Sequence, residues 1–171
     1  MHAADIARLY DYNCWANARL MDVVSRLTPD EFTQRGVGSY GSIRNTLVHI
    51  LSAEWGWLER CGGYPRGERL KAEDFPTVES IVAVWRRIES EMRSFLDTLP
   101  DADLATDISF AFGPGPAQTA TKGDLLQHAV LHAVHHRGQV AMLLRELGRT
   151  PGNFDFLFYA TDHHPANMKR A

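Results

Sequence analysis

Four histidines fall within nine residues, at positions 128, 132, 135 and 136, in the run His128-Ala129-Val130-Leu131-His132-Ala133-Val134-His135-His136-Arg137-Gly138-Gln139. The apolar spacing around them is helical. At about 100° per residue, His128, His132 and His136 climb one face at i, i+4 and i+8, with Gln139 close to the same line. Neutral imidazole is the commonest protein ligand for transition metals, and two imidazoles at i, i+4 can grip one ion. The helical rise limits how many can share it. Positions eight apart are separated by roughly 12 Å along the axis, far beyond the reach of two bonds of about 2.1 Å each. One ion therefore takes the 128/132 pair or the 132/136 pair, never all three, and a further ligand must come from elsewhere.

The 171 residues suit a single domain, 1–171, with a substantial core. A net charge of −3 supplies no electrostatic footprint for nucleic acid. No apolar run approaches the roughly 20 residues that span a bilayer, and the first residues lack the shape of a signal peptide. Cys14 and Cys61 form neither a CxxC pair nor a disulfide framework, so a cytoplasmic setting is expected.

Along the chain, residues 3 to 27 read as a long helix carrying Ile6, Leu9, Asn13, Ala16, Leu20, Val23 and Leu27 at helical spacing. Thr28-Pro29-Asp30-Glu31 has the form of a capping box with Pro at the first helical position. After a loop at 36–41, Ser42 caps a second helix that runs to about Arg60, ended by Gly62-Gly63. Its apolar stripe is Ile43, Leu47, Ile50, Leu51 and Leu58. His49 lies off that stripe with Asn45, Ser52, Ala53 and Gly56, a small and polar face that suits a ligand site, a close helix neighbour or plain solvent. Residues 62–76 read as a loop, and Thr77 opens a third helix with a wide apolar stripe from Ile81 to Leu99. Residues 101–120 break the helical rhythm and suggest a short irregular hairpin. The histidine helix follows, with Val130, Val134, Ala141 and Leu144 as a second apolar side, which suits a central helix or a subunit interface. Phe-rich residues 153–159 should pack back on the bundle, ahead of a loosely held polar tail with His163 and His164. The expected architecture is all-α: a four-helix bundle with at least one crossover connection.

These segments resemble the DinB/YfiT-like family of four-helix-bundle metalloproteins. The resemblance is carried by Tyr12-Asn13-Cys14-Trp15-Ala16-Asn17, by Gly41-Ser42-Ile43-Arg44-Asn45-Thr46-Leu47-Val48-His49-Ile50-Leu51, and by His128 to Gln139, which is similar to an H-x3-H-x2-HHRGQ signature. It implies an ion held by His49, His132 and His136, and it implies a homodimer. His128, one turn below on the same face, is then a candidate for handling substrate or protons, or a satisfied histidine. Gln139 is a candidate for hydrogen-bonding the back of His136's ring. His135 points about 60° from His132 and is expected behind the ligands or at an interface, and Arg137 points away from the ligands, which suits packing or an interface. Trp15 and Asn17 suit a pocket wall or helix packing.

Three imidazoles leave a coordination position open, as in catalytic sites. The ion could be zinc, nickel or iron. It would lower the pKa of bound water or a bound thiol. The resemblance points to transfer of a low-molecular-weight thiol such as bacillithiol or mycothiol to a small electrophile. Metal-dependent hydrolysis is the alternative, and it wants a general base. Glu54 lies roughly 140° from His49 on its helix, so only His128 is at hand. A metal-stabilised dimer that binds a small molecule without turnover is the third reading.

Overall fold

A computed structural model describes residues 1–63, 70–112 and 114–164. Its long helices are α1 (Ala3–Val24), α3 (Ile43–Gly62), α4 (Val78–Asp97) and α5 (Lys122–Glu146), with short helices α2 (Pro29–Thr33) and α6 (Phe156–Asp162). Strands β1 (Asp107–Phe110) and β2 (Gln118–Thr121) pair antiparallel, Ile108 opposite Ala120. The fold is all-α with this one small hairpin.

Local chemistry sets the ends. Thr28 and Glu31 form the reciprocal capping box at α2, with Pro29 at the first helical position. Ser42, Thr77 and Thr121 each accept the backbone N–H three residues on, at the starts of α3, α4 and α5. Gly63 (φ 70°) and Gly148 (φ 70°) end α3 and α5 in the left-handed conformation that favours glycine. The first helix is shorter than its periodicity suggests, ending at Val24 rather than residue 27.

Packing is cyclic: α1 lies against α4 and α5, and α3 lies against the same two helices. The sequence steps α1 to α3 and α4 to α5 therefore run between diagonal partners. That explains the long connections, one holding α2 and the other the hairpin. The core joins Ile6, Ala16 and Leu20 of α1, Leu47, Ile50, Leu51 and Leu58 of α3, Ile81, Ile88 and Met92 of α4, and Ala129, Ala133, Val140 and Leu144 of α5. α6 returns onto α1, where Tyr159 stacks near Tyr12 and Trp15. His163, expected in a loose tail, donates from Nδ1 to the Tyr159 carbonyl at 2.8 Å.

One apolar expectation for α5 is redistributed. Val130, Ala141 and Leu144 are buried in the bundle, but Val134 is 40% exposed. The outward stripe is Leu131 (58% exposed), Val134 and Met142 (57% exposed), with Gly138 between them. These positions lie within about 80° of each other on the helix. Among the described residues no helix is long and apolar enough to cross a membrane.

Candidate metal centre

Packing of α3 along α5 brings His49 to the middle histidines. One ring nitrogen from each of His49, His132 and His136 lies within 4.8 Å of the others. A tetrahedral ion with bonds of about 2.1 Å separates its ligand atoms by about 3.4 Å. His49 Nε2 and His132 Nε2 are already 2.9 Å apart. Ring centroids are 4.8 Å apart for His49 and His132, 4.6 Å for His49 and His136, and 4.4 Å for His132 and His136.

The electrostatics suit ligation. Burial, and then the neighbouring imidazoles of His136, His49, His128 and His135, push His132 down to about 3. It is therefore neutral at physiological pH, the state in which a histidine can give a lone pair to an ion. Its buried Nδ1 has no hydrogen-bond partner among the described residues. Burial also lowers His136, against the opposing pull of Gln139. Neutral nitrogen donors on this scale, among groups that resist protonation, fit a divalent transition ion.

Gln139 holds the cluster from behind. Its Oε1 accepts from His136 Nδ1 at 3.0 Å, so the proton sits on Nδ1 and His136 keeps its Nε2 lone pair. Its Nε2 donates to Ser39 Oγ at 3.3 Å and to His135 Nε2 at 3.2 Å. His135 is exposed and outside the triad. His128 is also exposed, its ring centroid 5.6 Å from that of His132 and 5.4 Å from that of Trp57. Phe110 of β1 meets Trp57 edge-on at 5.4 Å, so the hairpin walls this side of the site with aromatic rings.

Two features carried no recognised signal in the sequence. Tyr40, from the loop before α3, stacks on His49 at 3.9 Å between centroids, and its hydroxyl is 2.9 Å from His49 Nε2. The second is a buried polar network behind the site. Arg137, fully buried, donates from Nη1 to Asn13 Oδ1 and, at 2.7 Å, to Asn17 Oδ1. Both asparagines in turn donate to Glu54 Oε1, at 2.8 and 3.3 Å, and Trp85 Nε1 donates to Glu54 Oε2 at 3.0 Å. Asn17 is thereby a core hydrogen-bonding group, whereas Trp15 packs among Tyr12, Tyr159 and the Arg19 guanidinium. The signal for the network was Asn13, Glu54 and Arg137 standing on core-facing stripes, where an uncompensated polar group is costly.

The site sits on a scaffold with known relatives. Protein DinB of Bacillus subtilis (strain 168) is 26% identical over 159 residues, covering 89% of this chain and 91% of that protein. The uncharacterized protein YizA of the same organism is 23% identical over 150 residues, covering 88% of this chain and 92% of its own. A crystal structure of a DinB-like protein from Bacillus cereus ATCC 10987 shares the fold, with a TM-score of 0.71 and 23% identity over 86% of this chain and 94% of that one. The model of the DinB family matches residues 1–167, and the chain belongs to that family.

Proposed function

We propose that His49, His132 and His136 hold a divalent transition metal (zinc, nickel or iron), and that the protein transfers a low-molecular-weight thiol to a small electrophile. The observation that carries this reading is the composition of the cluster: three imidazoles, with no carboxylate joining them among the described residues. Such an ion would acidify a bound thiol so that the thiolate forms near neutrality.

The chain's own residues supply the rest. His132, held neutral by burial, and His136, oriented by Gln139, present nitrogen lone pairs, and His49 closes the set from α3. His128, exposed one turn from His132, takes the thiol proton, and the thiolate then forms the carbon–sulfur bond as the leaving group departs from the electrophile. Trp57 and Phe110 give the electrophile an apolar wall. Hydrolysis by activated water is the weaker reading. The carboxylate nearest in sequence to a ligand on α3, Glu54, is buried and committed to Asn13, Asn17 and Trp85.

A second copy covering Leu131, Val134 and Met142 would form the homodimer. These exposed apolar side chains share one side of α5 and leave the ligand face open.

The test is incubation of the metal-loaded protein with 1-chloro-2,4-dinitrobenzene and a panel of low-molecular-weight thiols. Thiol-dependent, metal-dependent release of chloride is the expected result. Acceleration of ester hydrolysis with no thiol dependence would replace transfer with hydrolysis.

A further inference from the structure

The loop between α2 and α3 places a phenol against a proposed ligand, and nothing in the triad alone requires it. Gly38 (φ 122°) and Gly41 (φ 74°) bracket Ser39-Tyr40 in backbone conformations that side chains disfavour, so the turn depends on glycine at both ends. Three hydrogen bonds then fix it. Gly36 N–H donates to the Gly41 carbonyl at 2.9 Å, Asn45 Nδ2 donates to the Tyr40 carbonyl at 3.1 Å, and Gln139 Nε2 donates to Ser39 Oγ. The last ties the loop to the residue that orients His136. Tyr40's ring is nearly parallel to His49 (20°) and meets His136 edge-on at 5.5 Å.

The decisive contact is Tyr40 Oη to His49 Nε2 at 2.9 Å. A neutral imidazole has one lone pair, on its unprotonated nitrogen. If the Tyr40 hydroxyl donates into it, metal binding must break that hydrogen bond, together with the 2.9 Å contact between His132 Nε2 and the same nitrogen. The ring stack with His49 does not depend on the hydroxyl, so the phenol oxygen stays beside the site once the ion takes Nε2. The hydrogen bond it gave His49 can then pass to another acceptor at the site.

Resting on the three-histidine metal site proposed above, we propose that Tyr40 gates the open coordination position: its hydroxyl competes with the ion for His49 Nε2 and, once displaced, donates a hydrogen bond to an anionic sulfur, oxygen or nitrogen ligand on the ion. Tyr40 is on this reading a further catalytic residue, because it touches the reacting nucleophile. The alternative role is packing of the loop on His49, and Tyr40→Phe separates the two because it keeps the ring and removes only the hydroxyl.

The experiment uses the full chain, wild type and Tyr40→Phe, loaded with Co(II) and followed by visible absorption. Azide serves as the probe anion, with melting temperature as the check on folding. Tyr40→Phe should bind Co(II) about threefold to tenfold more tightly, because one of the two hydrogen bonds at His49 Nε2 no longer has to be broken, and azide about tenfold more weakly. Unchanged azide affinity in Tyr40→Phe overturns the proposal, whatever happens to cobalt affinity. Failure of the wild type to bind Co(II) overturns it together with the metal site. The expected azide difference alongside absent thiol transfer supports the Tyr40 role and removes only the transferase reaction. Should Tyr40→Phe fold poorly, Tyr40→Leu tests the same loss of the hydroxyl with apolar bulk retained and no donor introduced. Azide affinity equal to wild type there overturns the proposal equally.

Discussion

Arg137 and Glu54 are joined across the bundle core through Asn13 and Asn17, whose side chains each hydrogen-bond to both. The two charges are 0% and 1% exposed. Burial raises the Glu54 carboxyl, while the Asn13 and Trp85 hydrogen bonds and the Arg137 charge pull it back. Arg137 follows His136 directly in α5, and Glu54 lies five residues after His49 in α3. The network therefore ties the two helices that carry the histidine cluster to α1 and, through Trp85, to α4.

Removing one charge should cost more than removing both. Arg137→Met leaves a buried carboxylate with its charge uncompensated and should lose about 3–5 kcal/mol in urea denaturation. Adding Glu54→Gln should recover part of that loss. A double variant less stable than Arg137→Met would show that the two charges do not compensate each other.

Metal content should follow the triad. His49→Ala, His132→Ala and His136→Ala should each lose most of the ion in elemental analysis of purified protein, and His135→Ala should keep it. Full retention in His49→Ala would remove α3 from the site.

Gln139→Ala should weaken metal affinity by about 10–100-fold, because His136 loses the acceptor that fixes its tautomer and ring orientation. Competition with a chromophoric chelator measures this. An unchanged affinity would reduce Gln139 to a loop tether through Ser39.

Stability should depend on pH through Glu89. A cavity of about 480 Å³ between α1 and α4 is lined by Glu89, Asn17 and Trp85. Burial there, and then the nearby Glu54 charge, hold the Glu89 carboxyl up at about 7 from a usual value of 4.5. Between about pH 4.5 and 7 the folded protein then binds more protons at this site than the unfolded chain, so stability falls as pH rises through that window. Glu89→Gln should flatten this fall and stabilise the protein by ~1–2 kcal/mol above pH 7, allowing for solvent screening of a partly exposed group. Denaturation curves at pH 5 and 8 decide it. An equal pH dependence in both proteins would contradict the shift.

Much of the scaffold was readable along the chain because its causes are local. Capping at Thr28, Ser42 and Thr121, glycine stops at 63 and 148, and the apolar stripe of α4 need only neighbouring residues. Val134 is exposed while Val130, Ala141 and Leu144 on the same stripe are buried, a difference that spacing hides because periodicity marks a side chain as apolar without showing what covers it. Tyr40 had no periodic signal, since it stands in a loop whose course depends on Gly38, Gly41 and a tether to Gln139 one hundred residues away from Ser39.

By itself the sequence determined the four long helices, most of their ends and the fact that one ion can use only two of the aligned histidines, because helical rise and spacing are properties of a few adjacent residues. The resemblance to a family named His49 as the third donor. Only the tertiary structure decided that His49 reaches His132 and His136, that the Tyr40 hydroxyl meets His49 Nε2, and that Arg137 and Glu54 face inward together. Those relationships join residues of different helices, and they depend on how α3 and α5 pack, a long-range outcome that no local spacing contains.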